Sequence, residues 1–165
     1  LAAKRGTATT GGAGEAVTAA LQAYADRGVF RGFRAVPAAR GCVEYEFVWL
    51  LGRTMRATFD TARGVLAFPA LFPGVEPRSP MARALDALVH TRTDRGQPAH
   101  KRVDARRARL SSAVSKGDWS LTVHVRGANH DYAVQRALNL VNELFLILHE
   151  SYPEYLIERF GLSPE

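Results

Sequence analysis

The chain has little sulfur: one cysteine, Cys42, and two methionines among 165 residues. A lone thiol cannot close an internal disulfide. Cys42 opens a predicted strand, where a small buried hydrophobe fits better than a reactive nucleophile. No Asn-x-Ser/Thr sequon occurs. No apolar run approaches the roughly 18–20 residues of a membrane span, and the first residues lack the apolar core of a signal peptide. These absences lead to the expectation of a cytoplasmic protein with no membrane partner.

Catalytic signatures are missing as well. Gly-x-Ser-x-Gly, a Walker-type Gly-x-x-x-x-Gly-Lys and a strand-borne Gly-x-Gly-x-x-Gly are all absent. Histidines stand at 90, 100, 124, 130 and 149, with no pair at metal-ligand spacing on one predicted element. The expectation is therefore no catalytic set, no metal and no cofactor. An enzyme whose residues converge only in three dimensions remains an open alternative.

What is present is an ordinary globular composition, 47% hydrophobic and 23% charged. A chain of this length buries roughly 68–70% of its unfolded surface, enough for one core without staples. Residues 1–13, rich in Gly, Thr and Ala, read as a flexible N-terminal segment, and 14–165 as a single α+β domain. The formal charge of +6 is uneven: residues 127–165 carry six acids against two arginines, so the surplus of cations lies before them. Such asymmetry suits either an anionic partner or two faces that attract each other.

Periodicity sets out the elements. Val17, Ala20, Leu21 and Tyr24 share one stripe of a helix over 15–27, stopped by Gly28. Phe30, Phe33 and Val36 form an apolar stretch with no assigned element. From Val43 to Trp49 apolar residues alternate with Glu44, Glu46 and Val48, the period of a half-buried strand. Leu50-Leu51-Gly52 fits a three-residue hairpin loop, which pairs Trp49 with Arg53, Phe47 with Met55, Tyr45 with Ala57 and Val43 with Phe59. Glu46 then faces Arg56. A one-residue slip would set Phe47 against Arg56, so burial pins the register. The loop 61–64 leads to a third strand, pairing Phe59 with Leu66 and Ala57 with Phe68. Pro69, Pro73 and Pro77 end the meander.

Ser79 caps a helix that has Pro80 in its first turn and Met81, Ala84, Leu85 and Leu88 on its apolar stripe. Trp119, Leu121, Val123 and Val125 alternate along a strand whose partner offers Ala108, Leu110 and Val114 across the turn 115–118. A long helix from about Asn129 to His149 carries an apolar arc of about 180°, wider than one sheet face covers. Its surplus edge, Leu140 and Ile147, is a candidate dimer or partner surface. Ser151, Pro153 and Glu154 form a capping-box pattern for a last helix ending at Gly161.

The order α-βββ-α-ββ-α, with the Phe59–Leu66 hairpin, the Ser79–His90 helix and the apolar helix after Trp119–Arg126, resembles the fold of type III secretion chaperones and YbjN-like bacterial proteins. That resemblance spans about residues 14–150 and implies a non-enzymatic, dimer-forming, protein-binding module. The pI near 10.0 departs from the acidic character typical of secretion chaperones, and a second C-terminal helix follows the long one, which the simplest members lack.

Three side-chain groups compete for a role. Arg107, Arg109, His124 and Arg126 would share one polar sheet face and could hold an anion or nucleic acid, since guanidinium forks match phosphate oxygens. No exposed aromatic accompanies them for base stacking. Asn129-His130-Asp131 sets an imidazole beside a carboxylate, but a helix start explains that cluster by capping. Glu44 and Glu46 form a solvated ladder with Arg56. The leading expectation is a protein-binding or chaperone-like module that forms the commonest symmetric assembly, a homodimer; the rival is an anion- or nucleic-acid-binding hairpin over 101–126.

Overall fold

The computed structural model describes residues 2–162, with side chains from Gly12 onward. Among the described residues, a six-stranded antiparallel sheet carries four helices, an α+β fold. Helix α1 (Ala2–Asp26) leads to β1 (Arg31–Pro37), β2 (Cys42–Trp49), β3 (Arg53–Asp60) and β4 (Val65–Pro73). Helix α2 (Pro80–Thr91), strands β5 (Ala108–Ser115) and β6 (Asp118–Val125), and helices α3 (His130–Ser151) and α4 (Pro153–Phe160) follow. The spatial order is β1-β2-β3-β4-β6-β5. The backbone of α1 extends N-terminally of the expected 15–27; the side chains of the segment expected to be flexible lie almost wholly outside those described.

The meander follows the alternation in the sequence. Trp49 faces Arg53, Phe47 faces Met55, Tyr45 faces Ala57, Val43 faces Phe59 and Glu46 faces Arg56. Tyr45, Phe47, Met55, Ala57, Phe59, Leu66, Phe68, Trp119, Leu121 and Val123 are all buried on the helix-covered face. The stretch without an assigned element is strand β1, so the meander has four strands where three were expected. Its pattern was hidden because Arg31, Gly32, Arg34, Ala35, Val36 and Pro37 are all exposed and only Phe33 turns inward, against Tyr45 and Phe47. An edge strand exposed along its length has no two-residue apolar period to read.

One expected pairing does not form. The β3–β4 ladder ends at Thr58 with Ala67, and Phe68 pairs with Leu121 of β6 without meeting Ala57. The next hydrogen-bonded pair would set Arg56 against Pro69, which has no N–H to donate. Strand β4 then bulges against β6 between Phe68 and Phe72, with Ala70 held at φ 50°. A non-glycine residue in the left-handed region costs roughly 1–3 kcal/mol. The strand is thereby turned away from β3.

Helix α2 starts as expected, with the Ser79 hydroxyl accepting from the Ala82 N–H at 3.1 Å. Helix α4 does not: Tyr152 occupies its N-cap position and no side chain caps it, while Pro153 and left-handed Gly161 bound it. The capping box at Ser151 is corrected because α3 runs on through Ser151. Helix α3 packs on α1, α2, α4 and β6, and these neighbours account for its wide apolar arc.

Candidate functional site

Leu140, expected at a dimer surface, is only 2% exposed within the single chain. Ile147 is half-buried, and the exposed apolar residue of α3 is Leu146. The surplus arc is covered within the chain because helices α1 and α4 lie beside α3, a contact that the helix's own periodicity could not reveal. Leu140 is thus core and offers no surface to a partner.

The basic set is divided as well. Arg109 and His124 are cross-strand partners, both exposed on the helix-free face. Arg107 precedes β5 and turns elsewhere: its guanidinium lies 3.8 Å from the Tyr132 ring centroid, and its Nε donates to Asn129 Oδ1 at 2.9 Å. The Arg126 N–H donates to the Arg107 carbonyl at 3.0 Å, tying the chain after β6 to the chain before β5. Asn129 therefore does not cap α3 through its side chain, as expected from the sequence. It bridges Arg107 and the Arg126 carbonyl instead. Among the described residues no group of three or more His, Cys, Asp or Glu side chains is arranged to hold a metal ion. No helix among them is long and apolar enough to cross a membrane. Cys42 is half-buried and free.

The helix-free face of the sheet is lined by short and charged residues. Glu46 takes Arg34 at 3.0 Å and Arg56 at 3.5 Å, a wider ladder than the Glu46–Arg56 pair alone. Thr58, Ala67, Thr122 and Ser111 follow one another across adjacent strands. No residue of this strip is buried.

The two edges of the sheet differ in a way that bears on partners. Natural sheets protect free edges with bulges, prolines and charges, because unpaired N–H and C=O groups recruit other strands. Edge β1 has all three: a register shift between Arg31 and Arg34, Gly32 at φ 64°, two arginines and Pro37. Edge β5 has none of the backbone devices. It pairs with β6 at every position from Ala108–Val125 to Ser115–Asp118, without a register shift, and Arg109 is its one charge.

Alternation decides which β5 groups are free. The turn Lys116-Gly117, with φ 54° and 80°, makes Ser115–Asp118 the closing hydrogen-bonded pair of a two-residue hairpin. The Arg126-to-Arg107 bond continues the same phase at the other end. Odd-numbered residues of β5 thus bond to β6, and Leu110, Ser112 and Val114 point their N–H and C=O outward, while the Ala108 N–H is taken by the Asp104 carbonyl at 3.0 Å. Beside this edge, Arg83, Asp86, Ala87 and His90 of α2 form a groove with Leu110 and Ser112. The Asp86 carboxylate fixes α2 there, accepting from Ser112 Oγ at 2.7 Å and from Trp119 Nε1 at 2.9 Å. Sequence reasoning missed this edge, although Arg-Leu-Ser-Ser-Ala-Val-Ser, free of proline and nearly free of charge, carried the signal.

Compared with family models, curated proteins and solved structures, the chain matches none.

Proposed function

We propose that the protein is a non-enzymatic, chaperone-like protein-binding module that works as a homodimer, two copies joining edge to edge through β5. The observation that carries this reading is the unprotected β5 edge, set against a β1 edge that is bulged, charged and closed by proline.

The sequence of β5 suits a two-fold axis through Ser112. In that antiparallel register Ser112 meets its own copy as a hydrogen-bonded pair, and Leu110 meets Val114 of the second chain on the helix-covered side. On the other side Ser111 meets Ala113, and Arg109 meets Ser115. No like charges face each other, and both half-buried apolar residues gain an apolar partner. Centring on Ser111 would instead set Leu110 against Ser112, and centring on Ala113 would set it against Lys116.

The expected resemblance to the secretion-chaperone and YbjN-like fold, α-βββ-α-ββ-α over about residues 14–150, supports the same class of function, although β1 adds a strand between α1 and β2. The dimer surface differs from the one expected at Leu140 and Ile147.

Amide hydrogen exchange tests the pairing. In the dimer the outward N–H groups of Leu110, Ser112 and Val114 are bonded and should exchange as slowly as those of β6. Fast exchange at these three positions, beside slow exchange at Ser111 and Ala113, is the pattern of a free edge and contradicts the proposal.

A further inference from the structure

The sheet also has a free edge in its interior. Gly64 donates to the Asp60 carbonyl at 2.8 Å, and Thr58 and Asp60 face β4 in the three-pair ladder. By alternation Arg56 and Thr54 turn their N–H and C=O groups the same way, toward a strand that has already left. The departing segment Pro69–Leu71 and the residues Arg53–Arg56 line a cleft of about 220 Å³. A second hollow of about 400 Å³ shares Arg56 and Pro69 with it and continues across β2 to Arg34, but Glu44 and Glu46 line it too, so the acidic ligand is assigned to the first cleft alone. Thr54 and Arg56 are exposed residues, and both line the cleft.

One charge at this cleft has no counter-ion among the described residues. The Arg53 guanidinium lies 3.8 Å from the Phe160 ring centroid and donates to the Leu71 carbonyl at 3.3 Å. Among the described residues no carboxylate lies within ion-pair distance of it. Burial lowers its pKa, and the charge interaction with Tyr155 offsets that loss of water only in part. Arg56 carries a second guanidinium, 74% exposed, on the helix-free face, where it pairs with Glu46 at 3.5 Å. The cleft therefore offers main-chain donors and acceptors at strand spacing together with a half-buried cation.

We propose that the β3–β4 cleft is a docking site for an acidic, extended segment of another protein, whose main chain pairs with Thr54 and Arg56 and whose carboxylate binds Arg53. The main-chain bonds give affinity of the strand-addition kind, and the carboxylate selects the sequence. Proline at position 69 and the strained Ala70 keep β4 from closing the gap, so the cleft is built into the fold and does not depend on a motion. This site rests on the protein-binding reading but is independent of the β5 dimer.

A phage-displayed library of random linear peptides, panned against the full chain, tests the site. Enriched peptides should carry Asp or Glu, and in nitrogen-15 spectra should shift the amides of Thr54, Arg56, Ala70 and Leu71. Arg53→Gln should weaken them about tenfold or more, the loss of one charge-assisted pair. Enrichment of peptides without acids, no enrichment, or shifts mapping to other strands overturns the proposal. Equal binding to a folded Arg53→Gln variant overturns it too, and where that variant fails to fold the amide map of the unsubstituted protein decides. A protein dimeric by light scattering that enriches no acidic peptide loses this site and keeps its dimer. A monomeric one that binds acidic peptides at Thr54 and Arg56 does the reverse.

Discussion

The indole N–H of Trp119 on β6 donates to the Asp86 carboxylate on α2 at 2.9 Å. Trp119 is fully buried, so this bond satisfies a donor that water does not reach. The same oxygen accepts from Ser112 at 2.7 Å, and one carboxylate thus anchors α2 to the last two strands. Asp86→Leu leaves the indole donor unsatisfied and should cost about 1–3 kcal/mol. Asp86→Asn keeps an acceptor and should cost less. Urea denaturation of the two variants measures the difference, and equal losses would mean that the bond adds little.

The aromatic cluster at the β1–β2 end gives the second prediction. Phe47 is fully buried and stacks on Phe30 with ring centroids 4.3 Å apart. Phe47→Ala removes a large buried side chain that its neighbours can replace only partly, a loss of roughly 3–5 kcal/mol. Thermal melts followed by circular dichroism should show a drop of many degrees. An unchanged melting temperature would contradict the observed packing.

A third prediction concerns the segment after α2. Arg92, with its side chain 5% exposed, pairs with Glu143 of α3, which also holds the more exposed ammonium of Lys101 at 2.8 Å. Gln97 accepts from Arg92 at 3.1 Å. Removing one partner of a buried pair strands the other charge, which costs more than losing a surface pair worth about 0–1 kcal/mol. Glu143→Ala should therefore destabilise the protein well beyond Lys101→Ala. Chemical denaturation reads both, and similar effects would reject a special role for the buried cation.

Burial pattern made most of the sheet legible from the sequence. Wherever one face of a strand is buried and the other wet, as from Val43 to Phe59 and from Trp119 to Val125, the two-residue period fixed register as well as location. It failed where burial did not alternate. Strand β1 is exposed except at Phe33, and β4 breaks its period at Pro69, so a strand was missed and a pair, Ala57 with Phe68, was assigned that does not form. The proline that ended the expected meander was the right residue read for the wrong consequence: it opens a cleft and the strand goes on. Leu140 was misplaced for another reason. A helix's sequence shows how wide its apolar arc is, but which neighbour covers that arc depends on contacts between segments far apart in the chain. Of the expected basic face, Arg109 and His124 do stand side by side, but Arg107 lies before the strand begins, where the alternation that would align it with Arg109 does not hold.

The free edge of β5 supplies the fourth prediction. Ser112 points its N–H away from β6, so Ser112→Pro removes no main-chain bond within the chain, only the hydroxyl's bond to Asp86, while removing both main-chain bonds across the proposed axis. Ser111→Pro deletes a bond to β6 and should weaken the fold itself. The two substitutions, one residue apart, separate assembly from folding. Circular dichroism should show Ser112→Pro folded and Ser111→Pro melting earlier, whereas equal damage from both would argue against the assigned phase of the strand.

Light scattering coupled to size-exclusion chromatography tests the dimer most directly. The account predicts twice the 18.1 kDa chain mass for the unsubstituted protein at high micromolar concentration, and a single chain mass for folded Ser112→Pro. A single chain mass for the unsubstituted protein at that concentration, or a Ser112→Pro variant that stays dimeric, would contradict it.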